Sequence, residues 1–211
     1  MGLDMVQVSD ASTNICSMKA RRILMVDNRD SFTWNLAHDL GRSGAEVEVR
    51  QAAQWAAPDA EAFDGIVLSP GPGLPQESEG LMPLVEAWAP RHPMLGVCLG
   101  LQALVEWSGG PLRRLETVRH GLSSMAVRCG SDVLFEAVDE RFEVGHYHSW
   151  CADRDALPGC WTVTAEVEGE PRIPLALRHL ELPLHAVQFH PESVLTPQGR
   201  LMLDAWLCSL S

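Results

Sequence analysis

A cysteine between two glycines is the residue of this chain whose setting most clearly indicates chemistry. Cys98 lies in the stretch 96–100, which reads Gly-Val-Cys-Leu-Gly, between an apolar run (94–97) and a segment with helical spacing (99–107). A nucleophile at such a strand-to-helix turn, here called the elbow, is expected to stand exposed above its sheet. The helix N-terminus behind it favours the reactive thiolate. A buried structural cysteine is the alternative interpretation.

A histidine near the other end of the chain could serve this thiol as a base. His190 and Glu192 stand two residues apart, after an apolar segment (184–189) that we expect to be a strand. With a strand period of two, their side chains should point the same way. The carboxylate would orient the imidazole, and a Cys–His pair then gains a thiolate–imidazolium state. A loop histidine beside a surface carboxylate is the alternative.

The elements that must position these residues alternate between apolar strands and helices. Further strands are predicted at 23–26, 46–50 and 64–68, and helices at 32–40, 77–90 and 198–207, with a possible break at Pro83. After residue 112 the clearest strands, at 125–128 and 161–167, alternate in polarity. The pattern predicts an α/β fold, an open doubly wound, mostly parallel sheet with antiparallel edge strands.

The predicted site lies at the rim of this sheet, since ligands of such folds bind outside the carboxyl ends of the strands. The elbow and His190 both follow predicted strands. So does the stiff loop 69–73, Ser-Pro-Gly-Pro-Gly, which could present backbone N–H groups to an oxyanion.

Composition excludes several classes of partner. The net charge of −12 argues against binding to nucleic acid or to an anionic membrane surface. No apolar run approaches the ~20 residues that span a bilayer. The six cysteines are scattered without a CxxC pair, so we expect no disulfide framework and a cytoplasmic protein. We predict one domain at 22–211, preceded by a disordered extension at 1–21.

No cofactor or metal is expected. His146 and His148, with Cys151 nearby, could chelate a metal, but their spacing matches no zinc pattern. The glycine-rich sequences that bind phosphates or dinucleotides are missing from the chain.

Five motifs occur in a fixed order along the chain. They are Asp-Asn-Arg-Asp-Ser-Phe-Thr-Trp-Asn-Leu at 27–36, Ser-Pro-Gly-Pro-Gly at 69–73, Gly-Val-Cys-Leu-Gly-Leu-Gln at 96–102, Tyr-His-Ser at 147–149 and Gln-Phe-His-Pro-Glu-Ser at 188–193. Together they resemble the class I, or triad, glutamine amidotransferases, specifically the small subunits of anthranilate synthase and aminodeoxychorismate synthase. The resemblance covers about residues 22–208.

The resemblance implies a role for each matching residue. Cys98 would attack the side-chain amide of L-glutamine, His190 would act as base and acid, and Glu192 would orient the histidine. Backbone N–H groups of Gly73 and Leu99 would form the oxyanion hole. The residues that would hold glutamine are Gly71, Gln102, Ser149 and Trp150.

The resemblance also implies a partner, because the chain has no room for an acceptor domain of roughly 100 residues. That partner would be the chorismate-binding large subunit of a heteromeric synthase. We favour the anthranilate branch, with the aminodeoxychorismate branch as the alternative. A stand-alone γ-glutamyl cysteine hydrolase and a non-catalytic scaffold are further alternatives. Leu101 and Leu122 depart from the usual His and Lys of the family, so we expect contact with the synthase subunit to change at these two positions.

Overall fold

A nine-stranded sheet forms the centre of the computed structural model, which describes residues 20–54, 57–169 and 173–210. Within these ranges four α-helices flank the sheet: α1 (Thr33–Arg42), α2 (Leu81–Trp88), α3 (Leu99–Trp107) and α4 (Gly199–Ser209). The strands are β1 (Arg22–Asp27), β2 (Glu46–Gln51), β3 (Gly65–Leu68), β4 (Met94–Val97), β5 (Leu112–Arg128), β6 (Arg141–Ala152), β7 (Trp161–Val167), β8 (Pro174–His179) and β9 (Leu184–Val187).

The sheet has a parallel part and an antiparallel part, joined at β9. Its order is β2-β1-β3-β4-β9-β8-β7-β5-β6. The first five strands of this order are parallel, and the pairings from β9 onward are antiparallel. The predicted α/β fold class is confirmed.

Alternating side chains of the parallel strands divide the core into two layers. Ile23 and Met25 of β1 pack with α1 and α4, whereas Leu24 and Val26 pack with α2 and α3. Both faces of these strands are therefore buried, which is why their sequences are continuously apolar.

Helix α2 begins later than the pattern at 77–90 predicted. Residues Pro75–Glu77 form a separate 3-10 turn, and Gly80 precedes α2 with a φ of 83°. A Cβ at Gly80 would come 2.5 Å from the carbonyl oxygen of Ala52, so this position needs glycine for both conformation and space. Pro83 lies in the first turn of α2. Backbone N–H groups there have no acceptor within the helix, so the missing N–H of proline costs no helical hydrogen bond.

The antiparallel part is larger than expected. The strand predicted at 125–128 is only the end of β5, which pairs with β6 in a long two-stranded ribbon. Most residues of β5 are exposed or half-buried, so hydrophobic periodicity could not reveal its length. The ribbon carries β6 to the carboxyl-end rim of the parallel strands, and Leu122 is exposed on it. Leu101 is instead fully buried in the core.

Part of the predicted domain organisation stays a prediction. Residues 1–19 of the expected extension at 1–21 lie outside the described residues. In the described ranges, no helix combines the length and apolar character needed to cross a membrane.

Packing of α3 on β3 generates a stability prediction. A Cβ at Gly100 would overlap the carbonyl oxygen of Leu68 and lie 2.7 Å from the Leu68 Cβ, whereas a Cβ at Gly41 in α1 has nothing within 4 Å. We expect Gly100→Ala to lower the free energy of unfolding by about 1–3 kcal/mol. The control Gly41→Ala should raise it by about 0.5–1 kcal/mol. Urea unfolding measures both, and an unchanged midpoint for Gly100→Ala would contradict the close packing.

Candidate active site

The elbow between β4 and α3 places Cys98 in a strained conformation. Its φ of 53° and ψ of −100° lie where non-glycine residues are rare and where strain accompanies function. A Cβ at Gly96 would come 2.6 Å from the carbonyl of Gly100, so the two flanking glycines let strand and helix approach. Cys98 is only 5% exposed, which corrects the expectation of an exposed sulfur.

His190 and Glu192 meet through a turn, not through strand alternation. Strand β9 ends at Val187, and the backbone N–H of Ser193 donates to the His190 carbonyl at 3.1 Å. This turn brings Nδ1 of His190 to 2.7 Å from Oε1 of Glu192. The predicted contact is therefore present, but the strand expected at 184–189 ends at Val187, and strand alternation is not what brings the two side chains together. Both side chains are almost entirely buried.

The charges around His190 favour its protonated form. Burial of the ring lowers its pKa, but the polar contacts and charges of Cys98 and Glu192 outweigh that effect and raise the pKa of His190 to about 10. Nε2 of His190 is buried and makes no hydrogen bond of ordinary geometry within the described residues. This nitrogen is thus free to exchange a proton with a nearby group.

Two aromatic rings hold the imidazole in place. The Phe32 and Tyr147 rings contact the His190 ring edge-on, with centroid distances of 5.2 and 4.8 Å. The Tyr147 hydroxyl lies 3.2 Å from the Ser193 hydroxyl, in the same turn as His190. Both rings lie inside the sequence motifs, although residue spacing alone predicted no role for either.

The loop at 69–73 lies beside the elbow. A Cβ at Gly71 would come 2.7 Å from the Asn28 Cβ and would overlap the Leu99 side chain. Gly73 has a φ of 73°, which suits glycine. In the described part of the chain, the backbone N–H groups of Gly73 and Leu99 donate to no protein atom. Both donors are therefore available to a ligand.

The four residues expected to hold a ligand fall on elements next to Cys98. Gly71 is in the loop just described, and Gln102 is on α3, one turn after the elbow. Ser149 and Trp150 are on β6 and half-buried. The Gln102 Nε2 donates to the Trp150 carbonyl at 3.0 Å, so α3 and β6 are joined at this point.

The two histidines considered for a metal bind each other instead. Nδ1 of His146 lies 3.1 Å from Nε2 of His148, and Nδ1 of His148 lies 2.8 Å from the Trp150 carbonyl. Burial is the main cause that lowers the pKa of His146 to about 3 and that of His148 to about 4. Both rings are neutral near pH 7. No cluster of three metal-binding side chains occurs within the described ranges.

Gln188 is a polar contact of Cys98 that was not predicted from the sequence. Its Nε2 lies 3.6 Å from Sγ of Cys98. The pair is 90 residues apart in sequence, and only the pairing of β4 with β9 brings it together. Membership of the motif at 188–193 was the one available signal.

Such a group of residues can form a covalent bond to an acyl carbon. A thiol interacts with a buried, protonated imidazole, and a carboxylate holds the other nitrogen of that ring. A catalytic triad that works through a thiol has the same three groups. Two unused N–H donors at the same rim could stabilise a developing oxyanion.

Known proteins match this chain over nearly the whole of its fold. The family described as "Glutamine amidotransferase class-I" matches residues 24–210. Anthranilate synthase component 2 of Azospirillum brasilense is 41% identical over 188 residues, covering 88% of this chain and 94% of that protein. Aminodeoxychorismate/anthranilate synthase component 2 of Bacillus subtilis (strain 168) is 39% identical over 184 residues, covering 86% and 93%.

A solved structure agrees on the architecture. A protein from Thermoplasma acidophilum that is described as part of a GMP synthase has a TM-score of 0.81, covering 90% of this chain and 94% of that one at 22% identity. The match to the family extends from β1 to the end of α4 and includes the elbow and the His190 turn. The chain belongs to the class I glutamine amidotransferases.

Proposed function

We propose that this protein releases ammonia from L-glutamine with a Cys98–His190–Glu192 triad and passes it to a chorismate-using synthase subunit. The Cys98 thiolate attacks the side-chain carbonyl carbon of glutamine, and the C–N bond breaks as His190 gives its proton to the leaving ammonia. The γ-glutamyl thioester then reacts with water, from which His190 takes a proton. The Cys98 thiolate leaves the acyl carbon, so that thiolate and protonated His190 are both restored, and glutamate departs after its carboxyl proton passes to the released ammonia or to solvent.

One observation carries the proposal. His190 is buried with Glu192 at 2.7 Å on Nδ1, while Nε2, the nitrogen left for the interaction with Cys98, makes no hydrogen bond of ordinary geometry in the described part of the chain. The orienting group therefore occupies one nitrogen and leaves the other for proton transfer to and from the substrate.

Substrate recognition follows from the donors at the rim. The N–H groups of Gly73 and Leu99 are assigned to the oxyanion, and one such donor is typically worth about 2.7–4 kcal/mol of the barrier. Gly71, Gln102, Ser149 and Trp150 are assigned to binding of glutamine. The Gln102 amide N–H groups already have protein acceptors, so its oxygen is the atom left for a substrate donor such as an α-ammonium group.

The partner is proposed to be the chorismate-binding large subunit of anthranilate synthase. The Azospirillum relative is named component 2 of that enzyme. Aminodeoxychorismate synthase is the second candidate, because the Bacillus relative carries both names. We place the reaction in the cytoplasm, where scattered cysteines stay reduced.

Copurification followed by product analysis tests the partner. The tagged chain is coexpressed with either large subunit from the same genome, and the isolated complex receives chorismate and glutamine. Anthranilate as the product supports the first candidate, and aminodeoxychorismate supports the second. Rapid glutamine hydrolysis by the chain alone, unchanged by either large subunit, would contradict both.

Removing the nucleophile should separate the two half-reactions. In the complex, we expect Cys98→Ala to reduce glutamine-dependent synthesis by more than about three orders of magnitude, as loss of a triad nucleophile does. Synthesis supplied with ammonium salt should persist, because the acceptor site lies in the partner. Cys208→Ala, on exposed residue 208, is the control. Loss of both activities in Cys98→Ala would indicate a structural cysteine.

Neutralising Glu192 should change the pH dependence of turnover. The raised pKa of His190 keeps the imidazolium present until the pH rises through that value. Glu192→Gln removes the negative charge and lowers the pKa of His190, so the alkaline limb of kcat should move toward lower pH. A charge-assisted hydrogen bond contributes about 1.5–3 kcal/mol, so kcat should fall about 10- to 100-fold.

Steady-state kinetics across pH measure this change. Glu86→Gln, at an exposed position of α2, removes the same charge elsewhere and should leave the profile as in the wild type. An alkaline limb that stays in place in Glu192→Gln would rule out the carboxylate as the group that holds the imidazolium.

A further inference from the structure

A buried line of hydrogen bonds leads away from the sulfur of Cys98 and ends on the β5–β6 ribbon. Its first member, Gln188, is fully buried directly after β9. Its backbone N–H donates to Leu175 of β8 at 2.8 Å, and the Cys98 N–H donates to the Val187 carbonyl at 2.8 Å. The backbones on both sides of the 3.6 Å contact between Nε2 and Sγ are therefore fixed by the sheet.

The orientation of the Gln188 amide is set by its other neighbour. The Gln102 Nε2 lies 3.0 Å from the Trp150 carbonyl oxygen and 3.4 Å from Oε1 of Gln188. A carbonyl oxygen can only accept, so the nitrogen of Gln102 must face Trp150. The same nitrogen donates to the oxygen of Gln188, which turns the Gln188 nitrogen toward the sulfur.

The Trp150 carbonyl is held from the other side by the histidine pair. Because that oxygen accepts, Nδ1 of His148 carries the proton and Nε2 of His148 accepts from His146. Nε2 of His146 then accepts from the Ser124 hydroxyl at 2.7 Å. Since the pKa values of about 3 for His146 and about 4 for His148 make both imidazoles neutral near pH 7, every donor and acceptor of the line has one direction.

We propose that Gln188 is a positioning residue for the nucleophile, whose amide N–H donates to the Cys98 sulfur and holds it as a thiolate ready to attack. This inference rests on the proposed role of Cys98. A hydrogen bond to the charged form of a group favours that form, and Gln188 approaches the sulfur independently of His190. The line through Gln102, Trp150, His148 and His146 keeps the donor from turning its oxygen to the sulfur.

The opposite orientation would be costly. With the Gln188 amide rotated by 180°, its oxygen would face a thiolate, and its nitrogen would face the nitrogen of Gln102. Neither contact is a hydrogen bond, and both groups are buried, where unsatisfied polar atoms are most unfavourable. The donor orientation therefore follows from the whole line and not from one distance.

Two replacements of Gln188 test the inference in the complex with the large subunit. Gln188→Met keeps the length of the side chain and removes the donor. We expect its glutaminase kcat to fall about 10- to 100-fold, the range for one hydrogen bond to a charged group, with KM within about threefold of wild type. Alkylation of Cys98 by iodoacetamide at pH 7, followed by peptide mass spectrometry, should slow in parallel.

Gln188→Glu supplies a readout that a purely structural role would not change. Its carboxylate cannot donate to the sulfur, whereas the protonated acid can. The activity of this variant relative to wild type should therefore rise as the pH falls from 8 to 6. Thr164→Val is the matched control, since Thr164 is fully buried and bonded to Asp132, away from this line; its kcat and alkylation rate should equal those of wild type.

The outcomes separate this inference from the proposed function. A dead Cys98→Ala variant together with a Gln188→Met variant of wild-type kcat and alkylation rate would overturn the positioning role alone. An active Cys98→Ala variant would overturn the proposed function itself. Should Gln188→Met fail to fold, Gln188→Glu decides, and a pH-independent ratio to wild type would contradict the inference.

Discussion

The hydrogen bond from the Cys98 N–H to the Val187 carbonyl, at 2.8 Å, is the constraint on which the site depends. It extends the parallel pairing of β4 with β9 by one step beyond the last strand residue. The same hydrogen bond fixes where α3 starts and where the chain leaves β9. Cys98 and the segment that carries His190 are therefore positioned by the register of the sheet.

Tight packing at the elbow makes this hydrogen bond possible. Strand and helix meet at the elbow through Gly96 and Gly100, neither of which has room for a Cβ. The chain reverses there at Cys98, a non-glycine residue with positive φ. Strain at one residue is tolerated because the elements before and after it are fixed by buried contacts.

The sequence predicted the structure well where burial gives the apolar residues of an element a regular spacing. Continuous apolar strands and the flanking helices predicted the α/β fold and the elbow, since these elements are buried on one or both faces. The β5–β6 ribbon escaped prediction because most residues of β5 are exposed or half-buried on both faces. Helix α2 was misplaced because the chain is left-handed at Gly80 and packs closely against Ala52 there, and hydrophobic periodicity shows neither feature.

At the site, residue types were predictable and contacts were not. Cys98, His190 and Glu192 stood out by chemistry and spacing, yet the turn that joins the last two, and the burial of the first, depend on long-range packing. Gln188 needed the register of two strands that are far apart in sequence.

One residue of β6 makes its contacts in the site through its main chain and not through its side chain. At Trp150 the atom in contact with Gln102 and His148 is the main-chain carbonyl, which every amino acid possesses. The indole can accordingly be exchanged for another side chain without altering those bonds, provided that the strand keeps its path. Alignments that score side-chain identity will therefore give little weight to residue 150, although its main chain joins β6 to α3 beside Cys98.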